Sequence, residues 1–319
     1  MRLVKKALED DRIHVTTTSL VALESQARDL RFVQRAKSHQ QLSGRMQSSL
    51  RGRGLIFEEL REYLSGDDIR SIDWRVTART GSPVVRVYGE EKERPATIVV
   101  DQRINMFFGS RRSMKSVTAA EAAILCAWRV LGSGDRVGGL VFNNSAVSEV
   151  KPHRSRNAVI ALADAIAEQN IRLCASSPDE PSRSSLDDVL TRLSSVVHHD
   201  HLLIIVSDFD GHGDRTRDLL VRLSSRNDII CLLVYDPFLL ELPKRGEIVV
   251  SGGELQAQLA LGQSSVRSAI DAFARRRGRE LRAWQQELGL PMLPISAAEE
   301  TAPQLRRLLE QANWRQRRR

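Results

Sequence analysis

The sequence predicts an α/β fold in which helices cover both faces of a doubly wound, mostly parallel sheet. Beyond Pro95, short β-branched runs such as ATIVV and LLIIVSD alternate with stretches of helical periodicity. These runs are apolar throughout, as expected of strands that are buried on both faces. Two of them end in an aspartate, Asp101 and Asp208, and ligands of such folds bind beyond the carboxyl ends of strands.

Two further segments are predicted ahead of this domain, forming an amino-terminal helical and extended addition. Residues 1–50 combine a helical pattern with a Ser/Gly/Gln-rich stretch that is typical of a linker. Residues 51–95 are dense in aromatic, acidic and arginine side chains and include an extended stretch. The α/β domain is therefore expected to occupy residues 96–319.

The elements of the α/β domain alternate in the order that right-handed crossover connections require. Core strands are predicted at ATIVV, VGGLVF, LLIIVSD, IICLLV and PMLPI, and an edge strand within NNSAVSEVKP. The helix after the first strand is expected to begin with a capping box of Thr118 and Glu121 and to end at Gly132 and Gly134. SSVRSAIDAFARRRGRELRAWQQELG predicts a long basic amphipathic helix, and PQLRRLLEQANW a last helix.

The composition is typical of a globular protein in a reducing compartment. The chain has 319 residues, of which 41% are hydrophobic, and carries a net charge of +8. The three cysteines are far apart and lack a CxxC pair, which suits a cytoplasmic location. No apolar run reaches the roughly 18–20 residues of a membrane span. A dense basic cluster, WRQRRR, is interpreted as a solvated helix end.

Asp101 opens a one-three-five pattern that raises the question of a metal site. An Mg²⁺ site would combine oxygen atoms of Asp101, Asn105 and Asp208. Arg103 opposes this interpretation, because a guanidinium group is permanently charged and cannot coordinate a cation. We therefore predict a degenerate site, with Mg²⁺ as a minor possibility and Arg103 as an internal cation that replaces the metal. The alternative is that Asp101 and Asp208 cap neighbouring helices or pair with arginines.

An enzymatic alternative rests on the sequence SDFDGHGD. Asp208 and Asp210 resemble the paired carboxylates of Mg²⁺-dependent phosphohydrolases of the haloacid dehalogenase type. The match is weak, since His212 stands where those enzymes carry Thr or Val. The sequence has neither a GxSxG elbow nor a GxxxxGK[ST] phosphate loop.

The stretch YLSGDDIRSIDWRVTARTG alternates acidic side chains with arginines around a tryptophan. Its candidate residues are Asp67, Asp68, Arg70, Asp73, Trp74 and Arg79. Arginine–carboxylate pairs would hold such a segment rigidly, which predicts a structural clamp. Tryptophan and arginine also dominate interface hot spots, which predicts a partner-docking surface. Both interpretations stay open at the level of the sequence.

The same region carries a family resemblance. GRGLIFEELREYLSGDDIRSIDWRVTARTGSPVVRVYGEE resembles the signature of a bacterial family of unknown function, number fifty-eight in the usual domain series. The resemblance implies a von Willebrand factor A-like domain that works with a MoxR-type AAA+ ATPase. In such domains an intact metal-ion-dependent adhesion site reads D-x-S-x-S, whereas this chain has Asp101-Gln102-Arg103-Ile104-Asn105.

Together these observations favour a non-enzymatic, cytoplasmic scaffold or adaptor. What the resemblance implies is assembly or activation of a protein client in partnership with the ATPase. The phosphohydrolase remains one alternative. A basic nucleic-acid-binding protein is a second, disfavoured because the basic residues lack aromatic interleaving.

Overall fold

The computed structural model describes residues 10–31, 55–90, 94–174, 184–239, 241–243, 247–251 and 256–316. These residues form two compact units. We call residues 10–31 and 94–316 the α/β unit and residues 55–90 the signature unit.

Ten strands and nine α-helices are assigned within the described residues. The strands are β1 (Leu55–Glu62), β2 (Val84–Glu90), β3 (Ala96–Asp101), β4 (Val137–Phe142), β5 (Val147–His153), β6 (Leu202–Ser207), β7 (Asp228–Tyr235), β8 (Glu247–Ser251), β9 (Gln256–Ala260) and β10 (Met292–Ser296). The helices are α1 (Thr17–Val21), α2 (Glu24–Ala27), α3 (Trp74–Thr80), α4 (Lys115–Gly132), α5 (Arg156–Asn170), α6 (Leu186–Val196), α7 (Asp214–Ser224), α8 (Ser264–Leu288) and α9 (Thr301–Gln316).

Six strands form the central sheet of the α/β unit in the order β10-β7-β6-β3-β4-β5. Neighbouring strands are parallel except at the edge, where β5 runs antiparallel to β4. The mixed α/β class, the mostly parallel sheet and the edge strand are therefore confirmed. After β3 the chain first builds β4 and β5 on one side and then returns to place β6 on the other. This reversal puts the topological switch point between the carboxyl ends of β3 and β6.

Apolar side chains of the strands point alternately to the two faces of the sheet and form two cores. Ile98 and Val100 face α4, α5 and α9, whereas Val99 faces α6, α7 and α8. Helix α4 is buried on nearly every side, because its alanines allow it to lie against the sheet and its neighbouring helices. The sheet is thus covered on both faces, which fixes the positions of the strand ends that carry the candidate site.

The amino-terminal segment belongs to the α/β unit in its described part. Val15, Leu20, Ala27 and Leu30 are each less than 5% exposed and pack into the core beside α4 and α5. The sequence pattern instead predicts a separate segment at residues 1–50. The burial of these four apolar residues accounts for the difference, because α1 and α2 are too short to bury an apolar face without the larger unit.

The prediction of a capping box at Thr118 and Glu121 is wrong. Helix α4 begins a turn earlier, at Lys115, and Met114 precedes it without a capping side chain. Thr118 instead shares a hydrogen bond with the hydroxyl of Ser113, 3.1 Å away. The predicted end is confirmed, since α4 stops at Gly132 and Gly134 follows with a φ of +85°.

The signature unit consists of a β-hairpin and the short helix α3. Strands β1 and β2 pair antiparallel, and a 3₁₀ turn (Ile69–Ser71) and α3 lie between them in sequence. The side chain of Asp73 accepts hydrogen bonds from the backbone N–H groups of Arg75 and Val76, which caps α3. Gly81 ends the helix with a φ of +76°, a conformation that favours glycine.

Candidate functional site

The candidate site lies at the switch point, beyond the carboxyl ends of β3 and β6. Asp101 is the last residue of β3 and is fully buried, and Asp208 follows β6 and is 6% exposed. The two strands are neighbours in the sheet, so parallel pairing brings both aspartates to the same edge. We call Asp101, Asp208, Asp210 and the side chains that bind them the switch-point cluster.

Arg103 and Asp101 form a two-pronged ion pair. The Nε and Nη2 atoms of Arg103 lie 3.0 and 2.7 Å from the two carboxylate oxygens of Asp101. Ser207 donates a further hydrogen bond of 2.6 Å to the same carboxylate. Burial opposes the charge of Arg103, but the neighbouring carboxylates, Asp101 above all, outweigh it and raise the pKa of this arginine. The guanidinium also lies over the ring of Phe142, 5.4 Å from its centre.

Asp208 is held by two other cations. The ammonium group of Lys115, at the start of α4, donates to its Oδ2 atom, and Asn105 donates to Oδ1 at 2.8 Å. Arg277 from α8 donates to the backbone carbonyl of Asp208 and, at 2.8 Å, to the carboxylate of Asp210. Burial favours the neutral form of Asp208, but the charges of Lys115 and then Arg277 outweigh it and lower its pKa.

The charges of the switch-point cluster balance. Three carboxylates (Asp101, Asp208 and Asp210) face three cationic side chains (Arg103, Lys115 and Arg277). A divalent cation would enter among groups whose negative charge is already neutralised, and three positive charges would repel it. Asn105 donates a hydrogen bond from its amide N–H₂ group to Asp208, and a nitrogen used in this way offers no lone pair to a metal ion. The described residues therefore do not fit an Mg²⁺ ion in this arrangement.

The loop after β6 is fixed by the same contacts. Phe209 is fully buried and has a φ of +57°, which side-chain-bearing residues seldom adopt. Its backbone N–H donates to the Ser207 hydroxyl at 2.9 Å, and its carbonyl lies 2.8 Å from Nδ1 of His212. His212 in turn packs edge-on against Trp284 of α8, with ring centres 4.9 Å apart. The loop that carries Asp208 and Asp210 is thus held against α8.

The structure brings together all four residues that the sequence predicted at this edge, Asp101, Arg103, Asn105 and Asp208. Arg103 donates to Asp101 and to the backbone carbonyl of Asp210, 3.2 Å away, whereas Asp208 takes its hydrogen bonds from other groups. Sequence reasoning missed Lys115 and Arg277. Lys115 carried no signal, because the predicted helix begins at Thr118 and so places Lys115 ahead of it. Arg277 carried none, since it is one of three consecutive arginines.

In the signature unit, the acidic candidates have local partners. Asp67 accepts two hydrogen bonds from Arg61, at 2.8 and 2.7 Å, and one from the backbone of Leu64. Asp68 accepts from the backbone N–H of Arg70 at 2.9 Å, and Asp73 pairs with Arg86 while capping α3. Hydrogen bonds from arginine are the largest cause of the lowered pKa of both Asp67 and Asp73.

Trp74 and the two candidate arginines differ from these carboxylates. Trp74 is 64% exposed, and Arg70 and Arg79 are also exposed. Ile69 and Leu64, in the same part of the chain, are 61% and 63% exposed. The signature unit therefore combines arginine–carboxylate pairs that brace its backbone with large apolar side chains that face solvent.

Two further expectations concern the chain as a whole. Among the described residues, no helix combines the length and the apolar composition that crossing a membrane requires. Cys126 and Cys231 are buried, and burial raises the pKa of both thiols, as expected for small core residues. Side chains of the basic cluster at residues 314–319 lie outside the described part of the chain.

Comparison with known proteins identifies a family and several relatives. The family model "Protein of unknown function DUF58" matches residues 59–280, which is more than half of the chain. Uncharacterized protein Mb1516 of Mycobacterium bovis and uncharacterized protein Rv1480 of Mycobacterium tuberculosis are each 30% identical to it over 198 residues. That alignment covers 61% of this chain, which spans only 60% of the length of each relative.

One solved structure is also similar. It is the crystal structure of the conserved hypothetical protein BatB from Bacteroides thetaiotaomicron, with 11% sequence identity and a TM-score of 0.39. The match covers 70% of this chain and 99% of that one. Because the family model spans the signature unit from Glu59 and most of the α/β unit, including the whole switch-point cluster, the chain belongs to the DUF58 family.

Proposed function

We propose that this protein is a metal-independent interaction module of von Willebrand factor A type, which works as an adaptor with a MoxR-type AAA+ ATPase on a protein client. The observation that carries the proposal is the ion pair between Arg103 and Asp101. It places a permanent cation at position three of a pattern whose first residue would otherwise bind a metal ion. The partnership with the ATPase and a cytoplasmic location rest on the resemblance and on the sequence, and are part of the proposal.

The ion pairs of the switch-point cluster favour a surface that binds its partner directly over one that binds through a metal ion. In a metal-bridged contact, the ion supplies attraction to a carboxylate of the partner. Here Arg103, Lys115 and Arg277 already hold the loops at the carboxyl edge in one conformation. A rigid surface loses little conformational freedom on binding, which favours affinity without a metal ion. Phe108, 41% exposed in the loop that follows β3, supplies an apolar anchor beside this edge.

The phosphohydrolase alternative gains no support from the geometry. A nucleophilic carboxylate needs an oxygen free to attack phosphorus. In Asp208, Oδ1 accepts from Asn105 and from the backbone of Asp210, while Oδ2 accepts from Lys115. Both oxygens are therefore engaged by the protein. The nucleic-acid alternative rests on the net charge and on the basic tail, whose side chains are not described.

Thermal unfolding of the chelator-treated protein tests the metal-independent part of the proposal. Addition of Mg²⁺ or Mn²⁺ is expected to leave the unfolding midpoint unchanged. An ion at 100 times its dissociation constant would instead stabilise the protein by about 2.7 kcal/mol, or roughly 5–10 °C. A saturable rise that Asp101→Ala abolishes would overturn the proposal and restore the metal-bridged and phosphohydrolase functions.

Binding to a purified MoxR-type ATPase from the same genome tests the partnership. We expect saturable binding that Phe108→Ala weakens by about tenfold, as for a moderate interface anchor. Val196→Ala is the control, because Val196 is 45% exposed at the end of α6, towards the opposite edge of the sheet. Loss of affinity in both variants, or in neither, would exclude the carboxyl edge as the docking surface. A complete lack of binding would exclude this partner.

A further inference from the structure

The apolar stripe of α8 continues beyond the part of the helix that packs against the sheet. Apolar residues recur along one face of this helix at spacings of three, four or eight: Val266, Ile270, Phe273, Leu281, Trp284 and Leu288. In the later turns, Leu281 and Trp284 are buried in the core, and Leu288 packs against it. In the earlier turns, Phe273 is 47% exposed, and Val266 and Ile270 are partly exposed.

Arg277 lies on the same face and divides the stripe at the carboxyl edge of the sheet. Its guanidinium donates to the backbone carbonyl of Asp208 and to the carboxylate of Asp210, beyond the end of β6. Helix α8 then leads into β10, which is parallel to β7, so its later turns run back across the sheet. The turns ahead of Arg277 extend about 20 Å past this edge at 1.5 Å per residue. We call them the α8 extension (residues 264–276).

The α8 extension adjoins an aromatic pair at the carboxyl edge. The 3₁₀ turn Pro237–Leu239 follows β7 and lies beside α8. Its Phe238 packs edge-on against Phe108, with ring centres 5.9 Å apart, and Phe108 is 41% exposed. A single exposed apolar side chain is ordinary. A stripe that is in register with the core and lies next to an exposed aromatic pair is instead typical of a surface that a partner covers.

The charges of the α8 extension indicate the chemistry of this partner. The extension has three arginines, Arg267, Arg275 and Arg276, against one acidic residue, Asp271. The guanidinium of Arg276 lies over the ring of Phe273, 5.9 Å from its centre, so positive charge borders the stripe directly. Arg275 pairs with Asp271 at 2.8 Å, but both side chains are exposed, and an ion pair of this kind contributes little and exchanges partners readily.

A surface that is both basic and apolar favours one kind of occupant. Two copies of the α8 extension packed together would bring their arginines into repulsion, which disfavours self-association. Nucleic acid would use the arginines but not the apolar stripe, because phosphate contacts are electrostatic. A partner helix with its own apolar stripe, flanked by carboxylates, uses both features. Its apolar side chains pack along the stripe at helical spacing, and its carboxylates accept paired hydrogen bonds from guanidinium groups.

We propose that the α8 extension binds an acidic amphipathic helix of a partner protein along Val266, Ile270 and Phe273. This rests on the proposed function, because it takes the carboxyl edge as the docking surface and names the chemistry of the segment that docks there. It does not depend on that segment belonging to an ATPase. Phe273 is the central anchor, since it is the most exposed of the three and carries Arg276 over its ring.

Fluorescence anisotropy of the full-length protein with three labelled synthetic peptides tests the proposal. In the first peptide, leucines recur every three or four residues among glutamates and alanines, which makes an acidic amphipathic helix. The second peptide has the same composition in shuffled order, and the third carries lysines in place of the glutamates. We expect saturable binding of the first peptide alone.

Variants of the protein then locate the binding surface. Phe273→Ala is expected to weaken binding of the first peptide about tenfold, as for a moderate interface anchor, and Arg276→Gln about threefold. Ile171→Ala should leave it unchanged and is the matched control, because Ile171 is 50% exposed after α5, a helix on the other face of the sheet. All three substitutions are on the surface, so the urea midpoint should stay unchanged and a loss of affinity would not reflect misfolding.

Several outcomes would overturn the proposal. Equal binding of the shuffled peptide would mean that charge alone attracts it, and equal binding of the lysine peptide, or no saturable binding, would exclude an acidic helix. A wild-type dimer in sedimentation that Phe273→Ala abolishes would assign the stripe to a second copy. Duplex DNA that displaces the first peptide and loses affinity in Phe273→Ala would assign it to nucleic acid.

The same variants separate this proposal from the proposed function. If Phe108→Ala weakens binding to the ATPase but no peptide binds, the docking edge stands and the acidic helix is excluded. If the first peptide binds through Phe273 but the ATPase does not bind, the acidic helix stands and that partner is excluded.

Discussion

Arg103–Asp101 in the α/β unit and Arg61–Asp67 in the signature unit are ion pairs of the same chemistry. Both are two-pronged, and in both the shortest nitrogen–oxygen distance is 2.7 Å. They differ in exposure: the side chains of Arg103 and Asp101 are 9% and 0% exposed, those of Arg61 and Asp67 32% and 12%. Geometry alone therefore does not determine how much an ion pair contributes to folding stability, because water screens Arg61–Asp67 but not Arg103–Asp101.

The two pairs also serve different structures. Arg61 and Asp67 are six positions apart in the chain, and their ion pair closes one local turn of the signature unit. Arg103–Asp101 belongs to a cluster that joins the ends of β3 and β6 to α4 and α8. Loss of the exposed pair loosens one turn, whereas loss of the buried pair leaves a carboxylate without a cation inside the fold.

Of the variants that test this comparison, Arg103→Met is expected to have the largest effect on stability. It leaves Asp101 buried without its counter-ion, and breaking a buried pair in this way costs about 3–5 kcal/mol of unfolding free energy. Arg61→Met makes the same chemical change and should shift the unfolding midpoint far less. Urea denaturation of both variants measures the difference. Equal destabilisation would show that solvent reaches Asp101 as freely as Asp67.

A double variant separates the lost ion pair from the lost packing of the arginine. In Arg103→Met with Asp101→Asn, no buried charge remains without a partner, so part of the lost stability should return. If the double variant is as unstable as Arg103→Met alone, the contact of Arg103 with Phe142 matters more than its charge.

The pH dependence of stability is the second prediction. The folded-state pKa of Asp208 is lowered below the ordinary value of 3.8 by Lys115 and Arg277, which outweigh burial. Its stabilising contribution is therefore present above about pH 4 and is lost as the pH falls through the folded-state pKa. Asp208→Asn is expected to lower stability at neutral pH and to flatten its decline in acid. Unfolding free energies measured from neutral pH down to pH 3 check this, and an unchanged slope would contradict it.

Sequence reasoning predicted the fold class and the four residues at the strand ends of the candidate site, but not Lys115 and Arg277. Strand positions followed from apolar β-branched runs, and Asp101 and Asp208 followed from their place at the ends of those runs. These are local signals, which a sequence carries directly. Lys115 and Arg277 donate hydrogen bonds to Asp208, although they lie 93 and 69 residues from it in the sequence. No local sequence pattern predicts a contact over such a separation.

The start of α4 was predicted wrongly for a related reason. Thr118 and Glu121 have the spacing of a capping box, yet Thr118 shares a hydrogen bond with Ser113 in the preceding loop, and Glu121 accepts one from Thr301 across the fold. A capping motif competes with every partner that the fold brings near it. The helix consequently begins at Lys115, where a cation opposes the helix dipole but meets the carboxylate of Asp208. Pairing across the fold outweighed the local preference.

Trp74→Ala is the smallest predicted effect on stability and sharpens what the signature unit does. Trp74 is 64% exposed at the first position of α3, so its removal deletes little buried surface and should leave the urea midpoint unchanged. As part of a clamp it would instead be needed for folding. As a docking residue it would be needed for affinity, and its loss should weaken binding to the ATPase by tenfold or more.

Arg79→Ala is the control on the same short helix, because Arg79 is exposed and lies in its last turn. A drop in affinity for Trp74→Ala alone would assign the tryptophan to the interface and leave the bracing to Arg61–Asp67 and Arg86–Asp73. A lowered urea midpoint with unchanged affinity would assign it to the clamp. The buried and exposed arginine–carboxylate pairs would then differ in strength but share one role, which is to hold backbone segments in place.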